Sequence, residues 1–349
     1  MVLNGLAYQD RLRAPDASRH PSCFQGKTDM TYEIIDIHPH IISTDTGKYP
    51  IAPQAGHRSK WSASRPADFD QLVAAMDEAG IAKAAIVHSS TTYGHDNSYV
   101  ADSVASQPDR FTGVFSFDLL ARDALATFDY WLGRGMGGIR LFTGGATHQT
   151  DGSWLVDPAT FPVWERCAEN DLTMVIQTTP AGLGMVADLA HRFPSVRIAL
   201  DHCARPVLAG GPPYDACAEL FELARFENVY LKITPKTFDL AQAAPGGAEA
   251  FFPHLVAVFG ADHLAFGSNY PASAGSLTEL IAQGNKCFES LGDKDRAWIW
   301  GRTAKVLYPM LANQGTARPA LPKTGGRRND RRRSGREGRA VAWNFFKTP

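Results

Sequence analysis

Two imidazoles stand two residues apart in the string Asp36-Ile37-His38-Pro39-His40, which closes an apolar run over 32–37. A β-strand alternates faces with period two, so Asp36, His38 and His40 share one side. Imidazoles so spaced can grip one divalent cation or one substrate. A pair of hydrogen-bonded structural histidines is the competing reading, because H-x-H alone is short. Later apolar runs close on polar residues too: His88, Asp118, Arg140, Gln177, His202, Lys232 and Asn269. A guanidinium stays charged and matches a carboxylate in two-pronged geometry, so Arg140 and Arg205 suit an anionic substrate. Burial beside an Asp or Glu is the alternative for both, and for Lys232. The hydroxyls of Tyr49 and Tyr270 are candidate donors to an oxyanion. Asp118 is either a proton acceptor or the N-cap of the helix that follows it.

These residues need a scaffold, and the periodicity supplies one. Apolar, β-branched runs fall near 32–38, 83–88, 111–117, 137–142, 172–177, 196–201, 228–233 and 263–267. Helix-period segments separate them, near 66–80, 97–107, 120–133, 158–170, 182–193, 213–226, 247–259 and 275–290. Eight strands each followed by a helix spell an α/β protein, a single-domain (β/α)8 TIM barrel. An open doubly wound sheet is disfavoured, since no Gly-rich dinucleotide fingerprint follows the first strand. A last helix, 293–308, packs under the barrel through Trp298, Trp300, Val306 and Leu307. In such barrels catalytic groups come from the C-terminal strand ends, where the polar residues above sit.

Composition bounds the rest. The 349 residues are 44% hydrophobic and 20% charged, which suits a large buried core. A net charge of -1 hides an asymmetry: residues 318–349 hold ten Lys/Arg against two Asp/Glu. The body is therefore acidic and carries no electrostatic footprint for nucleic acid. Residues 1–29 and 312–349 read as disordered extensions flanking a barrel over 30–311. Five scattered cysteines without C-x-x-C spacing read as reduced thiols, no run is apolar enough to span a membrane, and no secretory h-region opens the chain. Cytoplasm is the expected compartment, and homo-oligomer formation is left open.

The strings resemble the amidohydrolase-related (amidohydrolase 2) branch of the metal-dependent TIM-barrel hydrolases, which holds lactonases and aromatic-acid decarboxylases. The resemblance runs from about Met30 to Leu311. It rests on D-x-H-x-H, on Tyr93-Gly94-His95-Asp96-Asn97, on Asp201-His202 and on Gly267-Ser268-Asn269-Tyr270-Pro271. It implies that His38, His40 and His202 bind a divalent metal, Zn²⁺ in the first instance, or the substrate itself. Tyr93 belongs to one of these strings and is a candidate substrate contact, while His88, which ends the second run, either contacts substrate or packs inward. Two positions depart from the family. Asn269 stands where an aspartate is usual, and Gln177 where many relatives carry histidine. An amide cannot take a proton from water, so either a bound metal activates the water or His202 or Asp118 takes the proton. The implied activity is hydrolysis of a small carboxylate-bearing lactone or related acyl compound. Non-oxidative decarboxylation of an aromatic or enol acid is the alternative, and a catalytically silent binding barrel the alternative of another class.

Overall fold

The computed structural model describes residues 32–54, 56–144 and 152–312. The two extensions foreseen at the termini, apart from Ala312, and part of the loop after the fourth strand lie outside these residues. Eight strands pair in parallel in chain order: β1 (Ile34–Asp36), β2 (Ile81–Val87), β3 (Phe111–Phe115), β4 (Met136–Phe142), β5 (Thr173–Gln177), β6 (Arg197–Leu200), β7 (Val229–Ile233) and β8 (Leu264–Phe266). The Ile37 N–H donates to the Phe266 carbonyl at 3.2 Å and brings the first strand to the last. The chain is a (β/α)8 barrel.

Helices cover the outside: α1 (Lys60–Ser64), α2 (Phe69–Ala79), α3 (Ser90–Tyr93), α4 (Ser98–Ser106), α5 (Ala124–Gly133), α6 (Phe161–Glu169), α7 (Leu183–Arg192), α8 (Ala218–Phe221), α9 (Pro235–Ala243), α10 (Gly247–Phe259), α11 (Leu277–Cys287), α12 (Asp293–Ala297) and α13 (Thr303–Leu307). Capping explains several starts. Asp68 and Ser276 each accept the N–H three residues on, while Gln71 and Glu279 bond back. The strands divide two cores by their alternation. Outward residues such as Ile86, Ile139, Leu141 and Ile176 pack under the helices. Inward residues such as Ile35, Val87, Val114, Val175 and Ala199 fill the barrel.

Below the inner core, Leu307, Tyr308 and Leu311 plug the N-terminal end of the barrel. Thr173 Oγ1 donates to the Leu307 carbonyl and Lys83 Nζ to that of Leu311, at 2.5 and 2.9 Å. Three expectations need correction. Val306 faces solvent at 37% exposure, so the closing segment packs through Trp300 and Leu307, with Trp298 half-buried. That segment also widens to a π turn over Trp298–Arg302. The helix expected over 213–226 is a chain of short turns around α8, entered through Tyr214 in the left-handed region at φ 66°. And α9, which the periodicity did not single out, stands between β7 and α10.

Candidate active site

Strand β1 ends at Asp36, and its carboxylate stitches the barrel where the histidines begin. Asp36 Oδ1 accepts the backbone N–H of His38 at 2.9 Å and that of Ser268, after β8, at 2.8 Å. Only glycine fits at 267: a Cβ there would lie 2.6 Å from the Cβ of His38. The two strand ends therefore close on one another, and His38 and His40 are held buried between them.

The imidazoles are fixed individually. His40 Nδ1 donates to the Val87 carbonyl at 2.7 Å, which leaves Nε2 as the lone-pair nitrogen. The Trp61 indole stacks on its other side, centroids 5.3 Å apart at 29°. His202 follows β6, with Nδ1 2.8 Å from the Thr234 hydroxyl. It opens four consecutive residues, His202 to Arg205, with φ between 50° and 58°. Left-handed backbone costs non-glycine residues about 1–2 kcal/mol each, so the surroundings must impose this turn. The His38 ring lies 5.0 Å from that of His40 and 5.2 Å from that of His202. Burial lowers all three histidines, His40 and His202 to about 3, so the cluster is neutral at pH 7.

A buried carboxylate, Asp201, organises what lies beneath. Asp201 Oδ1 lies 3.2 Å from His38 Nδ1 and 3.3 Å from Lys232 Nζ, and Arg140 Nε donates to Oδ2 at 2.8 Å. Burial would raise this carboxyl, but the facing His38, Lys232 and Arg140 hold it well below the usual carboxylate range. Burial brings the Lys232 ammonium down to about 8 in spite of Asp201. Arg140 is also pinned from two further sides. Its Nη2 donates to Gln177 Oε1 at 2.8 Å, and its guanidinium lies over Phe142 at 4.6 Å.

Above this layer opens a cavity of about 660 Å³, lined by His40, Trp61, Arg140, Phe142, Gln177, His202, Arg205, Lys236 and Asn269, with Arg58, Lys60 and Arg65 at its side. No Asp or Glu is among its described lining residues. Asn269, also left-handed at φ 51°, donates from Nδ2 to Ser273 Oγ at 3.0 Å. The cavity thus pairs neutral imidazoles with permanent cations, an arrangement suited to binding an anion beside a polarised carbonyl.

Of the residues singled out by sequence, His40, Arg140, Gln177, His202, Arg205 and Asn269 meet in this cavity. His38 and Lys232 lie directly beneath it. The others are set back. The Tyr49 hydroxyl donates to Asp102 at 2.6 Å, and that of Tyr93 accepts the Ser43 N–H at 2.7 Å. His88 Nε2 donates to the Gly94 carbonyl at 2.8 Å, and burial lowers it to about 4. Tyr270 packs its ring on the core. Asp118 is exposed in a neighbouring cavity of about 210 Å³ with Phe117, Leu119 and Trp154. It accepts the Leu120 N–H at 2.9 Å, two residues on, rather than capping α5, which starts at Ala124. Sequence reasoning did not single out Asp201, Thr234 or Lys236. The first stood in the Asp-His string itself, and the others in Thr234-Pro235-Lys236, a helix start just past β7.

The donors suit a divalent cation in type. His40 is oriented by a hydrogen bond on its other nitrogen, and His38 Nε2 is buried without a hydrogen-bond partner. Among the described residues, however, no three His, Cys, Asp or Glu side chains surround one point. No helix there is long and apolar enough to cross a membrane.

The pattern that defines the amidohydrolase family matches residues 35–310. An L-fucono-1,5-lactonase of Burkholderia ambifaria is 28% identical over 256 residues, covering 70% of this chain and 84% of the relative. Among solved structures, a zinc-bound amidohydrolase from Burkholderia multivorans superposes with a TM-score of 0.64 at 21% identity, over 79% of this chain and 99% of that one. A Pseudomonas putida protein, provisionally named a 2-pyrone-4,6-dicarboxylic acid hydrolase, gives 0.64 at 22% identity, over 80% and 98%.

Proposed function

This chain belongs to the amidohydrolase family and is a hydrolase, and on that premise we propose that it opens a small, carboxylate-bearing lactone or a related acyl compound. One observation carries the reading: neutral imidazoles and fixed guanidiniums line the same cavity, with no carboxylate among the described lining residues. The substrate carboxylate pairs with Arg205 and with the face of Arg140 left free by Asp201 and Gln177. The scissile carbonyl then lies against His202 and His40. The His202 Nε2–H, with Nδ1 accepting from the Thr234 hydroxyl, stabilises the charge that develops on the carbonyl oxygen as water adds. Trp61 covers His40 and keeps bulk water off that imidazole. The lactonase relative and the two hydrolase-like structures support this class of reaction.

The test is a panel of sugar-acid lactones, carboxylate-bearing lactones and hydroxybenzoates, with and without added Zn²⁺. Base uptake at fixed pH on the carboxylate-bearing lactones is the expected result. Release of CO₂ from a hydroxybenzoate, or equal rates on charged and uncharged lactones, contradicts the proposal. Elemental analysis of protein purified without chelator reads the metal separately.

A further inference from the structure

The three imidazoles of the site are alike in type, but their outer partners differ. A neutral imidazole carries one ring proton, and the partner of one nitrogen decides what the other presents. The Val87 carbonyl can only accept, so His40 keeps its proton on Nδ1 and has a lone pair on Nε2. Asp201 acts on His38 in the same sense, with Oδ1 3.2 Å from Nδ1. His202 has a partner of another kind, the Thr234 hydroxyl, 2.8 Å from its Nδ1.

Thr234 follows β7 directly and precedes Pro235, the first residue of α9. It is fully buried, and its backbone is spent on the helix start. The Thr234 carbonyl accepts the Thr237 and Phe238 N–H groups at 2.7 and 3.1 Å, and the Thr234 N–H donates to the Thr237 hydroxyl at 3.4 Å. The Thr234 hydroxyl proton remains, and among the described residues its acceptor is His202 Nδ1. Were Nδ1 the donor, that hydroxyl proton would be buried without an acceptor, whereas buried polar groups are paired. The opposite direction satisfies both atoms: the hydroxyl donates, Nδ1 accepts, and the ring proton sits on Nε2, the nitrogen left for the cavity that His202 lines. Two imidazoles on one cavity thus offer opposite groups, a lone pair from His40 and an N–H from His202. Addition of water to a carbonyl can use both, one to orient the water and one to meet the oxygen on which charge develops.

We propose that Thr234 is a positioning residue whose hydroxyl fixes the tautomer and tilt of His202, so that this imidazole meets the substrate carbonyl as a donor and not as a lone pair. The assignment of its role in turnover rests on the lactone reading above. Thr234→Val keeps the shape of the side chain and removes the proton; Thr234→Ser keeps the proton and removes the methyl group.

The full chain is labelled with ¹⁵N-histidine and its ring nitrogens are read by two-bond proton–nitrogen correlation, the His202 signals being those lost in His202→Gln. In the wild type, Nε2 should carry the proton and Nδ1 should not; in Thr234→Val this pattern should be lost. With whichever lactone the panel identifies, Thr234→Val should lower kcat about 10-fold or more with KM little changed, the scale of removing the partner behind a functional imidazole. Thr234→Ser should keep most of the activity, and thermal melts verify folding of each variant. A proton on Nδ1 of wild-type His202 overturns the proposal, because the lone pair would then face the cavity as it does in a cation ligand. A Thr234→Val protein with wild-type kcat overturns it too, as does a Thr234→Ser protein as impaired as Thr234→Val, which would make the methyl group the part that matters. If the wild type opens no lactone, the lactone reading fails by itself, and the nitrogen spectra still decide whether Thr234 sets the tautomer.

Discussion

Asp201 illustrates how much of the site depends on a side chain that need not touch substrate. Its carboxylate meets His38, Lys232 and Arg140 within 3.3 Å, all of them buried. Asp201→Asn removes the counter-charge and leaves Lys232 and Arg140 buried together. Breaking one member of such a cluster costs roughly 3–5 kcal/mol, so the urea midpoint should fall clearly. A midpoint unchanged from the wild type would show that the cations find other partners. Asn269 and His202 separate in the same spirit. Asn269→Ala loses an amide already bonded to Ser273 and should cost about 10–100-fold in rate, the scale of an orienting contact. His202→Ala removes a polarising group at the carbonyl and should cost about 10²–10³-fold in kcat. Asn269→Asp restores the family's usual carboxylate and should retain activity or raise it. Equal, severe losses in both alanine variants, with no rescue by Asp, would make the amide itself central to the chemistry.

At the scale of elements, the site depends on how closely β1 and β8 approach. Gly267→Ala would set a methyl 2.6 Å from the His38 Cβ. Overpacking of this kind costs about 1–3 kcal/mol, and here the yielding atom belongs to the histidine cluster. We expect a modest drop in melting temperature with a disproportionate loss of kcat; a stability loss with unchanged kcat would mean that the strands part without moving His38. The strands were legible because each barrel strand is buried on both faces and reads as a short apolar run bounded by turn residues. His38, His40, His202 and Asn269 were legible because each closes or follows such a run, and Arg140 because it sets a charge inside one. What escaped was local. The start of α9 carried its signal, Thr234 followed by Pro235, but a nine-residue helix ahead of Ala244-Pro245 gives little periodicity. Tyr49, Tyr93 and His88 were the right residue types near the right strands. Their partners Asp102, Ser43 and Gly94, which turn their polar atoms away from the cavity, lie in loops and helices whose three-dimensional neighbours spacing does not reveal.

For the whole molecule, the barrel mouth makes folding sensitive to acid. His40, His88 and His202 are neutral and buried, with values near 3, 4 and 3, while in the unfolded chain each returns to about 6.5. Between these limits the unfolded chain binds more protons than the native one, so stability rises with pH in that window. The contribution is complete above about pH 6.5 and is lost as pH falls through the folded values. Asp201 stays ionised across most of this range and adds little slope, since its own loss comes well below the usual carboxylate range. Asp36 works in the opposite sense: burial raises its carboxyl, so its protonation in mild acid relieves part of the cost. At pH 5 each histidine would remove up to about 2 kcal/mol, before water penetration reduces the figure. Urea unfolding should therefore give a free energy at least about 2 kcal/mol lower at pH 5 than at pH 7.5, with no plateau between. The same neutrality leaves the His40 Nε2 lone pair free as an acceptor. A flat stability profile over this range would mean that the imidazoles charge without penalty in the fold, and a cluster that charges freely cannot present neutral donors to a substrate.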